Sequence, residues 1–151
     1  MIVEPTLDVE LELVAEGADL VIGCDEVGRG AIAGPVAVGA FAIVPGDGGM
    51  PAGLRDSKLL SERRREAILP AVQQRGVARS VGLASAIEID RIGIVASLAL
   101  AAHRALVAIA PQLAGASAPV VLLDGSHDWL TPVLQSPLTI ETRVGADRSC
   151  A

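Results

Sequence analysis

Two adjacent carboxylates, Asp25 and Glu26, are the residues of this sequence best placed to do chemistry. They follow the apolar run Leu20-Val21-Ile22-Gly23-Cys24 and precede a turn, Gly28-Arg29-Gly30. A carboxylate at the end of a buried strand is costly unless something compensates its charge. Carboxylate oxygens are usually compensated by a hard divalent cation, Mg²⁺ or Mn²⁺. Asp124 follows the same pattern: the apolar run Val120-Val121-Leu122-Leu123, then the acid, then Gly125. Carboxylates converging from two strand ends can hold a pair of cations. Such a pair clamps the attacking and leaving oxygens of an in-line phosphoryl displacement. Taken singly, each acid also fits a plainer description, a strand terminus or an Asp-Gly turn. Glu26 carries a further condition. Successive strand residues point to opposite faces, so Asp25 and Glu26 share a site only if the strand ends or bulges between them.

A sheet is needed to bring these residues together, and the hydrophobic pattern supplies one. Val21 to Asp25 reads as a first strand and Val36 to Val44 as its antiparallel neighbour. Pro45 to Gly49 is a loop. Ser61 is the expected N-cap of a helix running to about Gln74. Val77 to Ala84 is a third strand, and Glu88 to Ile94 a short helix or turn. Ile94 to Ala110 has the spacing of an amphipathic helix, with Pro111 expected to stop it. Val120 to Leu123 is a fully buried strand, and Leu138 to Val144 the last. Residues 7–16 are expected to form a short acidic helix with Leu7, Leu11 and Val14 on one side. The order predicts an α/β fold, a mixed β-sheet flanked by helices. No internal repeat, linker or low-complexity segment interrupts it.

Composition narrows the class. The 151 residues suffice for one compact domain, and 51% are apolar, with one Phe, one Trp and no Tyr. The core must therefore be built of Ala, Val, Leu and Ile. No stretch is expected to have the length and purity of a membrane span, and Met1-Ile2-Val3-Glu4-Pro5 does not resemble a secretory leader. Cys24 and Cys150 have neither disulfide-framework nor metal spacing. These features point to a cytoplasmic protein without a membrane partner. The net charge of −6 runs against nucleic-acid binding, which usually relies on a basic face. Any such binding must rest on local clusters, of which Lys58 with Arg63-Arg64-Arg65 is the clearest.

Four motifs, in order, carry a resemblance. They are Asp25-Glu26-Val27-Gly28-Arg29-Gly30 with Ala33-Gly34-Pro35-Val36, then Asp56-Ser57-Lys58 with Leu60 and Arg65-Glu66, then Glu88-Ile89-Asp90-Arg91-Ile92-Gly93-Ile94, then Leu123-Asp124-Gly125. Together they resemble the type 2 ribonuclease H (ribonuclease HII) family, from about Val21 to the last residue. The resemblance implies a ribonuclease H-like fold and a metal-dependent endonuclease using Mn²⁺ or Mg²⁺. It implies cleavage of the RNA strand of RNA–DNA hybrids, or of DNA duplexes containing ribonucleotides. The cut falls 5′ to a ribonucleotide, by metal-activated water, leaving a 5′-phosphate, as in ribonucleotide excision during DNA replication and repair.

The resemblance also implies roles for individual residues. Asp25, Glu26 and Asp124 become metal ligands and catalytic residues, and Asp147 a fourth catalytic carboxylate. Gly28, Arg29 and Gly30 become the backbone loop that reads the ribose 2′-hydroxyl. Ser57 and Lys58 become phosphate contacts. Glu88 and Asp90 are expected to stabilise the fold. The chain departs from the family in having Gly145 where a lysine is usual, with Arg143 or Arg148 as possible substitutes for its charge. It also lacks the family's sugar-stacking tyrosine. The expected organisation is an acidic extension over residues 1–19, then a catalytic domain over 20–151 that lacks C-terminal helices, acting as a monomer. Two rivals stand beside this reading: an inactive remnant that folds or binds duplex without cutting, and another carboxylate nuclease or recombinase of the same fold.

Overall fold

The structure is a computed structural model that describes residues 5–46, 50–134, 138–146 and 150. Five strands form one mixed sheet in the order β3-β2-β1-β4-β5. They are β1 (Leu20–Val27), β2 (Val36–Ile43), β3 (Ala78–Ala84), β4 (Pro119–Asp124) and β5 (Thr139–Arg143). The three consecutive strands β1, β2 and β3 pair antiparallel. β4 pairs parallel to β1, and β5 parallel to β4. A parallel return needs a long crossover. The helices α3 (Ala86–Ile92) and α4 (Ile94–Ile109) supply it between β3 and β4. Two further helices are α1 (Asp8–Ala15) and α2 (Glu62–Arg75).

Strand alternation divides the core in two. Leu20, Ile22 and Cys24 of β1 pack with Val36 and Val38 of β2 against Leu98, Ala102 and Ile109 of α4. The other face carries Val21, Ile43, Val120 and Leu122, joined by Leu13 of α1 and by Ala146 and Cys150. The abundance of alanine has a geometric purpose: β3 and α4 almost touch. A Cβ on Gly82 would lie 1.9 Å from the carbonyl oxygen of Ala101. Glu88 fixes the same corner. It closes a capping box with Ser85 and meets Arg104 of α4 at 2.6 Å. The stabilising role expected of Glu88 is thus visible in its partners.

Three sequence expectations need correction. First, α1 buries Glu10 and Leu13, while Leu11 and Val14 are exposed. Leu7 and Val9 pack on the same core as Leu13, so of the expected Leu7-Leu11-Val14 face only Leu7 is on the packed side. Glu12 instead reaches Arg143 of β5 at 3.1 Å, so α1 is docked on the sheet. Second, the α-helix ends before Pro111, at Ile109, as expected, but a 3₁₀ turn over Ala110–Leu113, which was not expected, continues the helical path. Third, that continuation makes Ile94–Leu113 a 20-residue stretch containing 18 residues of mean hydropathy 1.7, long and apolar enough to cross a membrane by length and composition. Its apolar face is packed on the sheet in the main core.

Candidate active site

The sheet brings Asp25 and Asp124 to one place. β1 and β4 run parallel with Cys24 opposite Leu123, so Asp25 and Asp124 are the next residues along each strand. Val21 of β1 and Val120 and Leu122 of β4 share the face away from α4. By alternation, Asp25 and Asp124 project to that face too. Both line a cavity of about 670 Å³, together with Asp56, Ser57 and Arg55.

Glu26 does not join them. β1 continues unbroken through the pair, with Asp25 opposite Gly39, Glu26 opposite Val38 and Val27 opposite Ala37. The bulge needed to turn both acids to one side is absent, because the strand leaves the sheet only after Val27. Glu26 is accordingly not a lining residue of the cavity. Its Oε1 lies 3.6 Å from Arg29 Nη1. Asp147 lies outside the described residues. Among the described residues, no group of three or more His, Cys, Asp or Glu side chains stands close enough to hold a metal ion.

The electrostatics single out Asp25. Burial pushes its carboxyl above the ordinary value, and the negative charges of Glu26 and Asp124 push the same way. The Glu26 backbone N–H, donating to Asp25 Oδ1 at 2.9 Å, opposes this, as does the charge of Lys58. Glu26, Asp124 and Lys58 thus lie within electrostatic reach of Asp25. Crowding of carboxylates with hard oxygen donors is what a divalent cation relieves. Asp25 and Asp124 therefore suit such an ion as donors. Asp124 Oδ1 also accepts the Ala146 N–H at 2.8 Å, which ties the end of β4 to the turn after β5.

Ser57 and Lys58 form a 3₁₀ turn (Ser57–Leu59) beside the cavity. Asp56 caps it by accepting the Lys58 N–H at 2.9 Å. Arg65 of α2 braces it, donating from Nη1 to the carbonyls of Ser57 at 3.2 Å and Leu60 at 2.8 Å. Sequence reading placed Arg65 in a basic run and missed this inward role. The only available signal was its family-like Arg65-Glu66 spacing.

Gly28, Arg29 and Gly30 follow β1 directly but do not line the cavity. Gly28 has φ +92, and a Cβ there would stand 2.7 Å from the Pro35 carbonyl oxygen. Only glycine fits without strain. Gly30 has open space around its Cβ position.

Around the remaining candidates the geometry is plain. Arg143 is engaged with Glu12. Gly145 has φ +77, a backbone conformation that disfavours a lysine at that turn. His127 meets its neighbour Ser126. Asp128 accepts from the backbone N–H groups of Leu130 and Thr131 and from the Thr131 hydroxyl.

The family model described as ribonuclease HII matches residues 22–127. Ribonuclease HII of Streptomyces avermitilis is 42% identical over 147 residues, 97% of this chain and 58% of that protein. The chain thus spans a little over half the length of this curated relative. Among solved structures, ribonuclease H2 from Pyrococcus horikoshii OT3 superposes with a TM-score of 0.60 at 21% identity, covering 85% of this chain and 64% of that one. Bst-RNase HIII in complex with Mn²⁺ gives 0.61 at 21% identity, covering 86% and 46%. At such identities these likenesses speak to the fold, and they agree with the mixed five-stranded sheet.

Proposed function

This chain belongs to the ribonuclease HII family, and on that premise we propose that it is a metal-dependent endonuclease acting on the RNA strand of RNA–DNA hybrids. The substrate includes duplex DNA with embedded ribonucleotides, and the cut falls 5′ to the ribonucleotide, leaving a 5′-phosphate. The observation that carries the reading is the pairing of Asp25 with Asp124. They stand at adjacent positions on parallel strands, face one cavity, and repel each other enough to help lift the Asp25 carboxyl.

Asp25 and Asp124 are the residues that would hold a divalent cation. When bound, such a cation supplies a water of lowered pKa and neutralises charge at the phosphate. The Mn²⁺ complex of Bst-RNase HIII makes Mn²⁺ a reasonable first ion to test. The protein's own groups do the positioning. Lys58 offers a point charge, and Ser57 a hydroxyl donor, to a phosphate at the cavity rim. The turn carrying them is held by Asp56 and Arg65. The Gly28–Gly30 loop presents backbone close to a sugar, where a 2′-hydroxyl distinguishes RNA from DNA. Glu26, on the opposite face in this structure, joins the ligand set only if the end of β1 twists. That observation favours a second reading, a fold that binds duplex without cutting it.

The test is incubation with a duplex containing one ribonucleotide and with its all-deoxy twin, in Mn²⁺ and in chelator. Expected are metal-dependent cleavage of the first duplex only, a 5′-phosphate at the new end, and loss of cleavage in Asp124→Asn. Equal cutting of the all-deoxy duplex, or full activity in Asp124→Asn, contradicts the reading. Binding without cleavage supports the second.

A further inference from the structure

Three consecutive arginines, Arg63, Arg64 and Arg65, occupy the first turn and a half of α2. That placement opposes local stability, because a helix N-terminus carries the positive end of the macrodipole and favours acids. Ser61, at the N-cap, makes no side-chain cap that would offset it. Arg65 is accounted for by its bonds to the Ser57 and Leu60 carbonyls. Arg63 and Arg64 are exposed, and neither finds a carboxylate or carbonyl partner among the described residues. Glu62, the first residue of α2, places one acid at that end, and the two exposed guanidinium groups remain available to an external anion.

Location indicates what that is. Arg65 pins the first turn of α2 to Ser57, which lines the cavity holding Asp25 and Asp124. Lys58, the next residue, acts electrostatically on Asp25. Arg63 and Arg64 therefore share the first turn of α2 with the arginine that braces the Ser57–Lys58 turn, a local cluster of positive charge on a chain of net charge −6. Guanidinium groups are well matched to phosphate oxygens. We propose that Arg63 and Arg64 are a substrate-positioning clamp that grips the phosphate backbone of the duplex beyond the Ser57–Lys58 contacts. The clamp rests on the nuclease reading for its substrate, but it makes its own demand on binding. It reads charge, so it grips hybrid and plain DNA alike and adds affinity without adding discrimination.

The experiment compares the full chain with Arg63→Gln/Arg64→Gln and with Arg91→Gln, an exposed arginine on α3. Glutamine keeps helix propensity and removes charge. Binding of fluorescent hybrid and of all-deoxy duplex is measured by anisotropy in chelator, across about 50 to 200 mM salt, the range over which phosphate contacts change affinity most visibly. Each lost phosphate contact lowers the slope of log affinity against log salt by about 0.9, so the double variant should lose about 1.8. The Arg91 variant should match wild type. Cleavage by the double variant at saturating hybrid should be retained, with KM rising and kcat little changed. An unchanged salt slope in a double variant that still cleaves overturns the clamp and leaves the nuclease reading standing. Duplex binding with the expected slope change but no cleavage by wild type does the reverse. No duplex binding by wild type at low salt also overturns the clamp.

Discussion

Gly28 and Gly30 lie two residues apart in one loop, yet the structure makes opposite demands on them. Gly28 has φ +92, and an added Cβ would meet the Pro35 carbonyl oxygen at 2.7 Å. A non-glycine residue in the left-handed region costs about 1–2 kcal/mol. Crowding against backbone, which cannot rotate away as a side chain can, adds about 1–3 kcal/mol. Gly28→Ala should therefore destabilise the fold by about 2–5 kcal/mol, a large part of a domain's net stability. At ~2–4 °C per kcal/mol for a chain of this size, the melting temperature should fall by about 4–20 °C. Gly30 meets nothing within 4 Å of its Cβ position. Gly30→Ala should be neutral or stabilising by up to about 1 kcal/mol, through the unfolded chain. Thermal unfolding by circular dichroism measures both. The functional arm uses Gly30→Val, whose bulk would obstruct the sugar that the proposed function brings to this loop. Its discrimination between a one-ribonucleotide duplex and the all-deoxy twin should collapse while its melt stays near wild type. Equal melting temperatures for the two alanine variants would refute the steric reasoning. A Gly30→Val protein with intact rate and discrimination would show that the loop does not read the sugar.

Asp25→Asn should abolish cleavage yet raise the melting temperature of chelator-treated protein at neutral pH. The folded Asp25 carboxyl is lifted above its ordinary 3.8, chiefly by burial. Its stabilising contribution is whole below 3.8 and is lost as pH rises through the folded value. The advantage of Asn should therefore vanish in acid, and a lower melt at neutral pH contradicts the electrostatic picture. Glu88 has the opposite sign. Its hydrogen bond with Arg104 is the main cause holding its pKa down to about 2. Its contribution is whole above 4.5 and lost as pH falls through about 2. Glu88→Gln should melt lower than wild type at neutral pH and converge with it near pH 2, whereas a constant gap across that range points to packing instead. Gly82→Ala should prise β3 from α4, because its Cβ would lie 1.9 Å from the Ala101 oxygen and 2.7 Å from the Ala105 nitrogen. The expected loss is about 3 kcal/mol or more in urea unfolding, against little change for Gly39→Ala, whose Cβ position is open.

Much of the fold was legible because its signals are local. The apolar runs ending at Asp25 and Asp124 announce two buried strands, and the stretch Glu88 to Ile94 reads as a short helix or turn, although the helix starts earlier, at Ala86, capped by Ser85. Asp25 and Asp124 were legible as a pair because both sit one step past such a run. Glu26 was not. Whether two neighbouring acids face one side depends on where the strand leaves the sheet, and that is decided by the pairing of Val27 with Ala37 across β2. The face of α1 misled for a similar reason: Leu11 and Leu13 are equally apolar, and only docking on β1 and β4 selects Leu13. Arg65 was hidden inside a charge run because nothing in a sequence tells an arginine that braces carbonyls from one that meets solvent. Pro111 tightens the helical path into a 3₁₀ turn where composition alone suggested a stop.

Asp19 has a consequence for how the molecule is made. Its carboxylate accepts from the Ser117 N–H, the Ser117 hydroxyl and the Ala118 N–H, joining positions up to 99 residues apart in sequence. These bonds latch the start of β4 beside the start of β1, and that register sets Asp25 next to Asp124. Closing so long a loop is entropically slow, and contacts of this span lower folding rates. As the chain leaves the ribosome, the antiparallel strands β1, β2 and β3 and the crossover helices can form first. The two aspartates meet only when β4 has emerged and docked. A nascent chain thus holds no assembled acidic pair until β4 has emerged and docked beside β1.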